Sequence, residues 1–169
     1  MYGKIFCKDL PALGCENELL NEIKEAGDKI WWTARNNPDG TLTFVKDKPD
    51  GGFYLSRLKR FPKIVDAILS AYPNAMIDNS YVTKCLPNYH MVPHIDPNRT
   101  TAIIIPLSSN MGKISFYYRN FKVYTHTYRG PTITRVNMLH SAENHSEEVR
   151  YAITIEVPGS YASNFFKYN

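Results

Sequence analysis

Residues 113–139, KISFYYRNFKVYTHTYRGPTITRVNML, decide the fold class of this chain. The run holds three short segments that are rich in β-branched and aromatic residues, the residue types enriched in strands. The pairs Arg119-Asn120 and Gly130-Pro131 separate these segments and have the composition of turns. Short apolar segments bounded by turn residues are typical of antiparallel sheets, so this run predicts three consecutive strands.

Similar segments continue on both sides of this run, and turn residues such as Ser108-Ser109-Asn110 separate them as well. The sequence predicts strands over Ile77–Leu86, Met91–Ile95, Thr100–Leu107, Lys113–Tyr118, Lys122–Tyr128, Thr132–Leu139 and Arg150–Val157. A regular series of short strands indicates a β-sandwich or jelly roll.

The first half of the chain is mixed in character. Leu19, Leu20 and Ile23 recur at helical spacing within Glu16–Ala26, and Gly27 follows as a C-cap. These features predict a helix over that range.

A second helix is predicted over Pro62–Ala71, because proline suits the first turn of a helix. Short strands over Lys29–Thr33 and Thr41–Lys46 are expected around a turn at Asn36–Gly40. The predicted fold class is therefore α+β, with the N-terminal helices packed on one sheet of a jelly roll.

The length of 169 residues predicts a single domain, with residues 1–75 as a helical and mixed cover and residues 76–158 as the β core. The three cysteines have no CxxC spacing, which disfavours a disulfide framework or a zinc ribbon. The N-terminal residues lack the layout of a secretory signal, and we expect a cytoplasmic protein without a membrane span. The net charge of +4 permits an anionic substrate without requiring one.

The triplet His94-Ile95-Asp96 is the most informative motif for function. Residues two apart on a strand point to the same face, so the imidazole and the carboxylate should converge. His140 follows the predicted strand Thr132–Leu139, and Arg150 opens the strand RYAITIEV on its less apolar face. The polar segment between them, SAENHSEEV, has the composition of a hairpin loop.

Two histidines and one carboxylate leave adjacent positions open on an octahedral metal, as in the facial triad of non-haem iron(II) oxygenases. A diacid cosubstrate then needs a fixed cation, which the guanidinium of Arg150 would supply. His145 is the nearest rival ligand, but its polar surroundings favour a solvated loop histidine. His90 and His126 lack partners at a ligand spacing and are interpreted as structural.

A tryptophan pair, a basic cluster and one further arginine each have both a structural and a functional interpretation. One of the adjacent pair Trp31 and Trp32 should face the core, and the other could line a substrate entrance, although ordinary packing is the simpler interpretation. The basic cluster Arg57–Arg60 is most simply a solvated surface, with substrate contact as the alternative. Arg99 could reach an acidic substrate or cap a strand.

With these residues in place, the chain resembles the 2-oxoglutarate and iron(II)-dependent oxygenase superfamily over roughly residues 77–157. The stretch YVTKCLPNYHMVPHID, residues 81–96, looks like the lead-in of the prolyl 4-hydroxylase-like branch. The resemblance implies a double-stranded β-helix core and makes His94, Asp96 and His140 the iron ligands. It makes Arg150 the partner of the 2-oxoglutarate C5 carboxylate.

The chain departs from the pattern of that branch at two positions. Cys85 stands where a cosubstrate-binding tyrosine is common, and Ala152 stands where the branch often has Ser or Thr. The interpretation therefore adds Tyr81, Tyr117 and Thr154 as candidate cosubstrate-binding residues.

The implied activity is hydroxylation of an unactivated C–H bond in a small molecule or a peptide side chain, with release of succinate and CO₂. Iron(II), 2-oxoglutarate and dioxygen are the implied cofactor and cosubstrates. A nucleobase demethylase of the same superfamily is an alternative, but no further arginine follows Arg150. A cupin-like metal protein is another alternative, although it would have no need of that arginine.

Overall fold

The computed structural model describes residues 6–36, 42–46, 52–96, 99–119 and 121–166, which form two antiparallel sheets. The strands are β1 (Cys7–Asp9), β2 (Trp32–Asn36), β3 (Leu42–Lys46), β4 (Phe53–Arg57), β5 (Met76–Cys85), β6 (Thr101–Pro106), β7 (Lys113–Tyr118), β8 (Phe121–Thr127), β9 (Thr132–Arg135), β10 (His140–Glu143) and β11 (Arg150–Glu156). The large sheet has the order β1-β9-β6-β11-β5-β4-β2-β3, and the small sheet has the order β10-β7-β8. The described chain is thus mostly β-sheet and has the form of a sandwich.

Within the described residues, three α-helices accompany the sheets: α1 (Glu16–Glu25), α2 (Pro62–Ala71) and α3 (Gly159–Ser163). Pro62 occupies the first turn of α2, where its missing N–H costs nothing. The carboxylate of Glu22 in α1 accepts hydrogen bonds from the backbone N–H groups of Lys63 (3.2 Å) and Ile64 (2.9 Å). A residue of one helix therefore caps the positive N-terminal end of the next helix. In the described ranges, no helix has the length and apolar character needed to cross a bilayer.

The apolar residues divide into two clusters on opposite faces of the large sheet. The first cluster contains residues of α1 and α2, such as Ile23 and Ile68, together with Ile153 and Ile155 of β11. The second cluster includes Ala152 of β11 and residues of β6 and β7, so it lies between the two sheets. Strand β11 is thus covered on both faces, and its alternating side chains serve two different cores.

Several sequence predictions match the structure closely. Helix α2 and strand β7 have the predicted bounds, and α1 ends one residue before the predicted end. The predicted strands at Ile77–Leu86 and Arg150–Val157 correspond to β5 and β11 with small shifts at their ends. Most of the predicted turn at Asn36–Gly40 lies outside the described residues.

Other predictions were wrong in their details. The range Met91–Ile95 contains only one isolated bridge, at His94, because a proline at position 93 cannot donate to a ladder. The predicted strand Thr132–Leu139 ends at Arg135. The predicted hairpin loop after His140 instead begins with the strand β10, whose polar residues are mostly buried.

The first half also differs from the sequence prediction. A single 3₁₀ turn occupies Asp28–Ile30, so the strand expected from Lys29 begins at Trp32. Strands β1 and β4, which are short, were not predicted.

Candidate active site

A pair of reciprocal hydrogen bonds places His94 beside His140. The backbone N–H of each residue donates to the carbonyl of the other at 2.9 Å, so the segment carrying His94 lies alongside β10. The backbone N–H of Asp96 donates to the carbonyl of Val136 at 3.0 Å. These backbone contacts hold the three side chains at one place although Met91–Ile95 is not a continuous strand.

The side chains of His94, Asp96 and His140 converge closely enough to share one metal ion. One potential ligand atom from each residue lies within 4.8 Å of the other two. Nε2 of His94 lies 3.6 Å from Oδ1 of Asp96, and the two imidazole rings are 4.5 Å apart between centroids. Asp96 and His140 are buried, and His94 is partly buried.

The second nitrogen of each imidazole has its own partner. Nδ1 of His94 lies 2.9 Å from the carbonyl oxygen of Val92, and Nδ1 of His140 lies 2.8 Å from that of Met138. When Nδ1–H donates to a carbonyl, the lone pair remains on Nε2 and the ring is oriented for ligation. Both histidines are therefore set up as Nε2 ligands.

The charges around the three residues also suit a cation. Burial, and then the neighbouring His94, lower the pKa of His140 to about 4, so its ring is neutral at neutral pH. Nε of Arg99 donates to Oδ2 of Asp96 at 2.7 Å, which leaves Oδ1 facing His94. Two imidazoles and one oriented carboxylate are the donor set that non-haem iron(II) accepts, so these residues fit that metal.

Arg150 lies at the start of β11 and is 4 % exposed. Its guanidinium carbon lies 5.2 Å from the centroid of the buried ring of Tyr128, and the Tyr128 side chain hydrogen-bonds to it. Among the described residues no carboxylate pairs with Arg150, and its Nε is buried without a partner. A buried cation with an unused donor fits an anionic group of a ligand.

Gly112 packs directly against this arginine. Its φ is +69°, and a Cβ at this position would lie 2.6 Å from both Cδ and Nε of Arg150. A larger residue would be strained by its backbone and would also displace the guanidinium. The close approach keeps Arg150 in a fixed place.

The structure separates the other predicted cosubstrate residues into two groups. Thr154 pairs with Tyr81 across β11 and β5, on the face of the large sheet that also carries Arg150. Tyr117 instead has its hydroxyl 3.1 Å from Oγ of Ser141. Ser141 alternates with His140, so it lies on the outer face of the small sheet, and the Tyr117 hydroxyl meets it there.

Cys85 and Tyr128 both lie near Arg150. Cys85, at the position where the related branch often has tyrosine, pairs with Arg150 across the strands, and burial raises the pKa of its thiol to about 11. Tyr128 was not identified from the sequence, because it lies far from the metal motif and only the fold brings it to Arg150. Burial raises the pKa of its phenol, which therefore stays protonated.

The remaining histidines lie elsewhere. Nε2 of His126 lies 3.2 Å from Oδ1 of Asp9, which agrees with a structural role. His145 contacts Glu143, and His90 joins them in a second group with metal-ligand spacing. The sequence analysis interpreted His90 as structural, because its partners are distant along the chain.

Comparisons with known proteins support the fold. No protein-family model matches the sequence, and no curated protein matches it. A prolyl hydroxylase from Trichoplax adhaerens, solved with a peptide of hypoxia inducible factor, has a similar structure (TM-score 0.58, 13 % identity, 99 % of this chain and 90 % of that chain). AviO1 from Streptomyces viridochromogenes is also similar (TM-score 0.55, 10 % identity, 93 % of each chain).

A third similar structure is an oxidoreductase of the 2OG-Fe(II) oxygenase family from Burkholderia pseudomallei. Its TM-score is 0.50 at 12 % identity, and the match covers 64 % of this chain and 69 % of that chain. Sequence identities this low carry information about the fold alone. The chain therefore shares the fold of 2-oxoglutarate and iron(II)-dependent oxygenases, including prolyl hydroxylases.

Proposed function

We propose that this protein is an iron(II)- and 2-oxoglutarate-dependent oxygenase that hydroxylates an unactivated C–H bond. The two sheets would form a double-stranded β-helix, with α1 and α2 as a cover on the large sheet. The observation that carries the proposal is the convergence of His94, Asp96 and His140, with both Nδ1 atoms engaged by backbone carbonyls. These three residues would hold iron(II), and Arg150 would bind the C5 carboxylate of 2-oxoglutarate.

Bound iron(II) would couple oxidative decarboxylation of 2-oxoglutarate to hydroxylation, with release of succinate and CO₂. The protein's own residues would bind and orient the reactants. Arg150 supplies a fixed positive charge, and the protonated phenol of Tyr128 can donate a further hydrogen bond to the same carboxylate. Phe116 lies 6.3 Å from the His140 ring between centroids and excludes water from one side of the centre.

A pocket on the large sheet is a candidate binding site for the primary substrate. It has a cavity volume of about 80 Å³, and its lining includes Trp32, Leu55, Arg57, Arg60 and Tyr81. Arg57 lies opposite Tyr81, which in turn lies opposite Thr154, so this lining continues the face that carries Arg150. The sequence left open a substrate role for one of the two tryptophans and for the basic cluster Arg57–Arg60. Residues from both sets, Trp32, Arg57 and Arg60, line this one pocket.

The charge of this pocket indicates the kind of substrate it would accept. Arg57 and Arg60 are exposed, and neither forms an ion pair with a carboxylate within the described ranges. The rest of the lining is mostly aromatic and aliphatic, and it consists of Trp32, Leu55, Ser56 and Tyr81. We infer a small molecule or peptide side chain that has an apolar part and an acidic group.

An anaerobic metal titration tests the proposed centre. The wild-type protein should bind iron(II), and His94→Ala, Asp96→Ala and His140→Ala should each lose the iron(II) whose absorbance responds to 2-oxoglutarate, since each removes one of three ligands. His145→Ala is the matched control and should keep iron(II) binding. Addition of 2-oxoglutarate to the wild-type iron complex should produce a metal-to-ligand charge-transfer absorbance. Unchanged iron(II) binding in His140→Ala would overturn the assignment.

The substrate inference needs a separate test. Succinate formation would be followed with pooled acidic and neutral amino acids, peptides and methylated oligonucleotides, at equal iron(II) and 2-oxoglutarate. Acidic compounds should stimulate succinate formation, and Arg57→Ala should raise their KM while leaving turnover without a substrate unchanged. Stimulation by oligonucleotides alone, reduced by moderate salt, would instead support the demethylase alternative.

A further inference from the structure

A second group of potential metal ligands lies on the outer face of the small sheet. It consists of His90, Glu143 and His145, which we call the outer cluster. His140 and Glu143 belong to the same short strand β10, but three positions separate them, so they point to opposite faces. One strand therefore contributes a residue to the candidate iron centre on its inner face and to the outer cluster on its other face.

The spacing within the outer cluster is close to that of a metal site. One ligand atom from each residue lies within 4.8 Å of the other two. The His90 and His145 rings are 4.4 Å apart between centroids, against 4.5 Å for His94 and His140. Ligand atoms that each lie about 2.1 Å from one tetrahedral Zn²⁺ are about 3.4 Å apart, so only small side-chain movements are needed.

The Glu143 carboxylate is oriented and charged for this role. The residue is 3 % exposed. Burial opposes ionisation, but hydrogen bonds from Ser115, His145 and Lys122 hold the pKa of Glu143 at about 2.

The two oxygens of this carboxylate have different partners. Oε1 accepts hydrogen bonds from Oγ of Ser141 (3.2 Å) and Nζ of Lys122 (3.3 Å), whereas Oε2 lies 2.7 Å from Nε2 of His145. Polar partners that hold a ligand oxygen from behind are typical of metal sites. Oε2 is therefore the oxygen that would coordinate a metal ion.

We propose that His90, Glu143 and His145 form a second divalent-metal site, distinct from the candidate iron centre. Two imidazoles and one carboxylate suit Zn²⁺, whereas Ca²⁺ and Mg²⁺ prefer sites made of oxygen ligands. His90 is exposed and the His145 side chain is 44 % exposed, so the ion can enter from solvent. The proposal does not depend on the proposed oxygenase activity.

A metal in the outer cluster would connect the two chain segments that carry the inner ligands. Near His90, the N–H of Met91 donates to the carbonyl of Ala142, and the N–H of Asn144 donates to that of Tyr89, both at 2.9 Å. The same two segments meet again at His94 and His140. An ion held by His90 and Glu143 would therefore reinforce the pairing that positions the candidate iron ligands.

The experiment is calorimetric titration of the full chain with Zn²⁺ in a background that lacks the inner site, the double variant His94→Ala, His140→Ala. This protein should still bind one Zn²⁺ per chain. Adding His90→Ala and His145→Ala should weaken that binding by more than about 100-fold, the upper end of the loss seen when only an outer partner of a ligand is removed. Mg²⁺ should give no binding heat in either protein.

Lys122→Ala in the same background is the matched control, because it removes a cation that contacts Glu143 but no ligand. Its Zn²⁺ affinity should fall by less than about 100-fold, because only an outer partner of a ligand is lost. Circular dichroism would show whether each variant is folded, and His90→Asn with His145→Asn replaces any alanine variant that is not. Equal Zn²⁺ binding with and without His90 and His145 would overturn the proposal, as would the absence of Zn²⁺ binding in the folded double variant.

Discussion

Arg150 is the side chain on which the proposed cosubstrate site depends. Arg150→Ala should retain iron(II) yet bind 2-oxoglutarate some thirty- to several-thousand-fold more weakly, because removing one partner of a buried hydrogen-bonded charge pair costs roughly 2–5 kcal/mol. Titration of the anaerobic iron complex, followed by its charge-transfer absorbance, measures this change. Arg129→Ala removes an exposed arginine next to Tyr128 and should leave the affinity unchanged. Wild-type affinity in Arg150→Ala would favour the cupin-like alternative.

The three cysteines should differ in reactivity towards an alkylating reagent, because they differ in burial. Burial raises the pKa of Cys7 to about 12 and that of Cys85 to about 11, so neither thiol ionises near pH 8. Cys15 is only partly buried and should react first. Brief treatment of the native protein with iodoacetamide should add one label, located on Cys15 by peptide mass spectrometry. Faster labelling of Cys85 would show that the pocket around Arg150 is open to solvent.

The residues that the sequence could identify are those whose spacing is informative by itself. His94, Asp96 and His140 were named together because their types match a known ligand set, and the structure brings them to one point. Tyr128 and the outer cluster could not be found in this way. Their members become neighbours only through the pairing of β10 with the segment before it and through the packing of Tyr128 against β11.

Helix α2 offers a test of how the cover contributes to stability. Ile68 is fully buried in the cluster between the helices and the large sheet, whereas the adjacent Leu69 is 40 % exposed. Ile68→Ala should lower the free energy of unfolding by about 2–5 kcal/mol, through lost burial and the cavity left behind. Leu69→Ala on the same helix should cost less than about 1 kcal/mol. Urea unfolding measures both, and equal losses would contradict the assigned packing.

The bounds of helices and strands were predicted correctly where the local sequence pattern agrees with the tertiary environment. Strand β7 and helix α2 have strong periodicity and clear end signals, and their bounds were predicted without error. Strand β10 was missed because its sequence, HSAE, is polar, and only its place in the sandwich buries it. The strand predicted over Met91–Ile95 was wrong. Its apolar residues suggested a strand, but Pro93 interrupts the pairing.

The arrangement of the whole molecule depends on strand order, which local patterns do not contain. The sequence predicted a sandwich from the number and spacing of its strands, and the two antiparallel sheets confirm that coarse prediction. It did not predict that β11 would lie between β6 and β5, or that β4 and β2 would extend the same sheet. That extension brings Trp32 and Arg57 to the face used by the proposed site.

The central position of β11 also determines how fast its backbone amides exchange with solvent deuterium. The strand pairs on both sides, and its Ile153 and Ile155 are fully buried, so its amides should exchange only when the whole domain unfolds. Strand β8 is an exposed edge strand and should exchange first. A ligand that binds only the folded state raises the free energy of unfolding by its binding free energy. Amide exchange in β11 should slow accordingly, while the exchange rate of β8 should stay nearly unchanged. Deuterium uptake, with and without 2-oxoglutarate and metal, would therefore measure cosubstrate affinity in the strand that begins with Arg150, even before a substrate is identified.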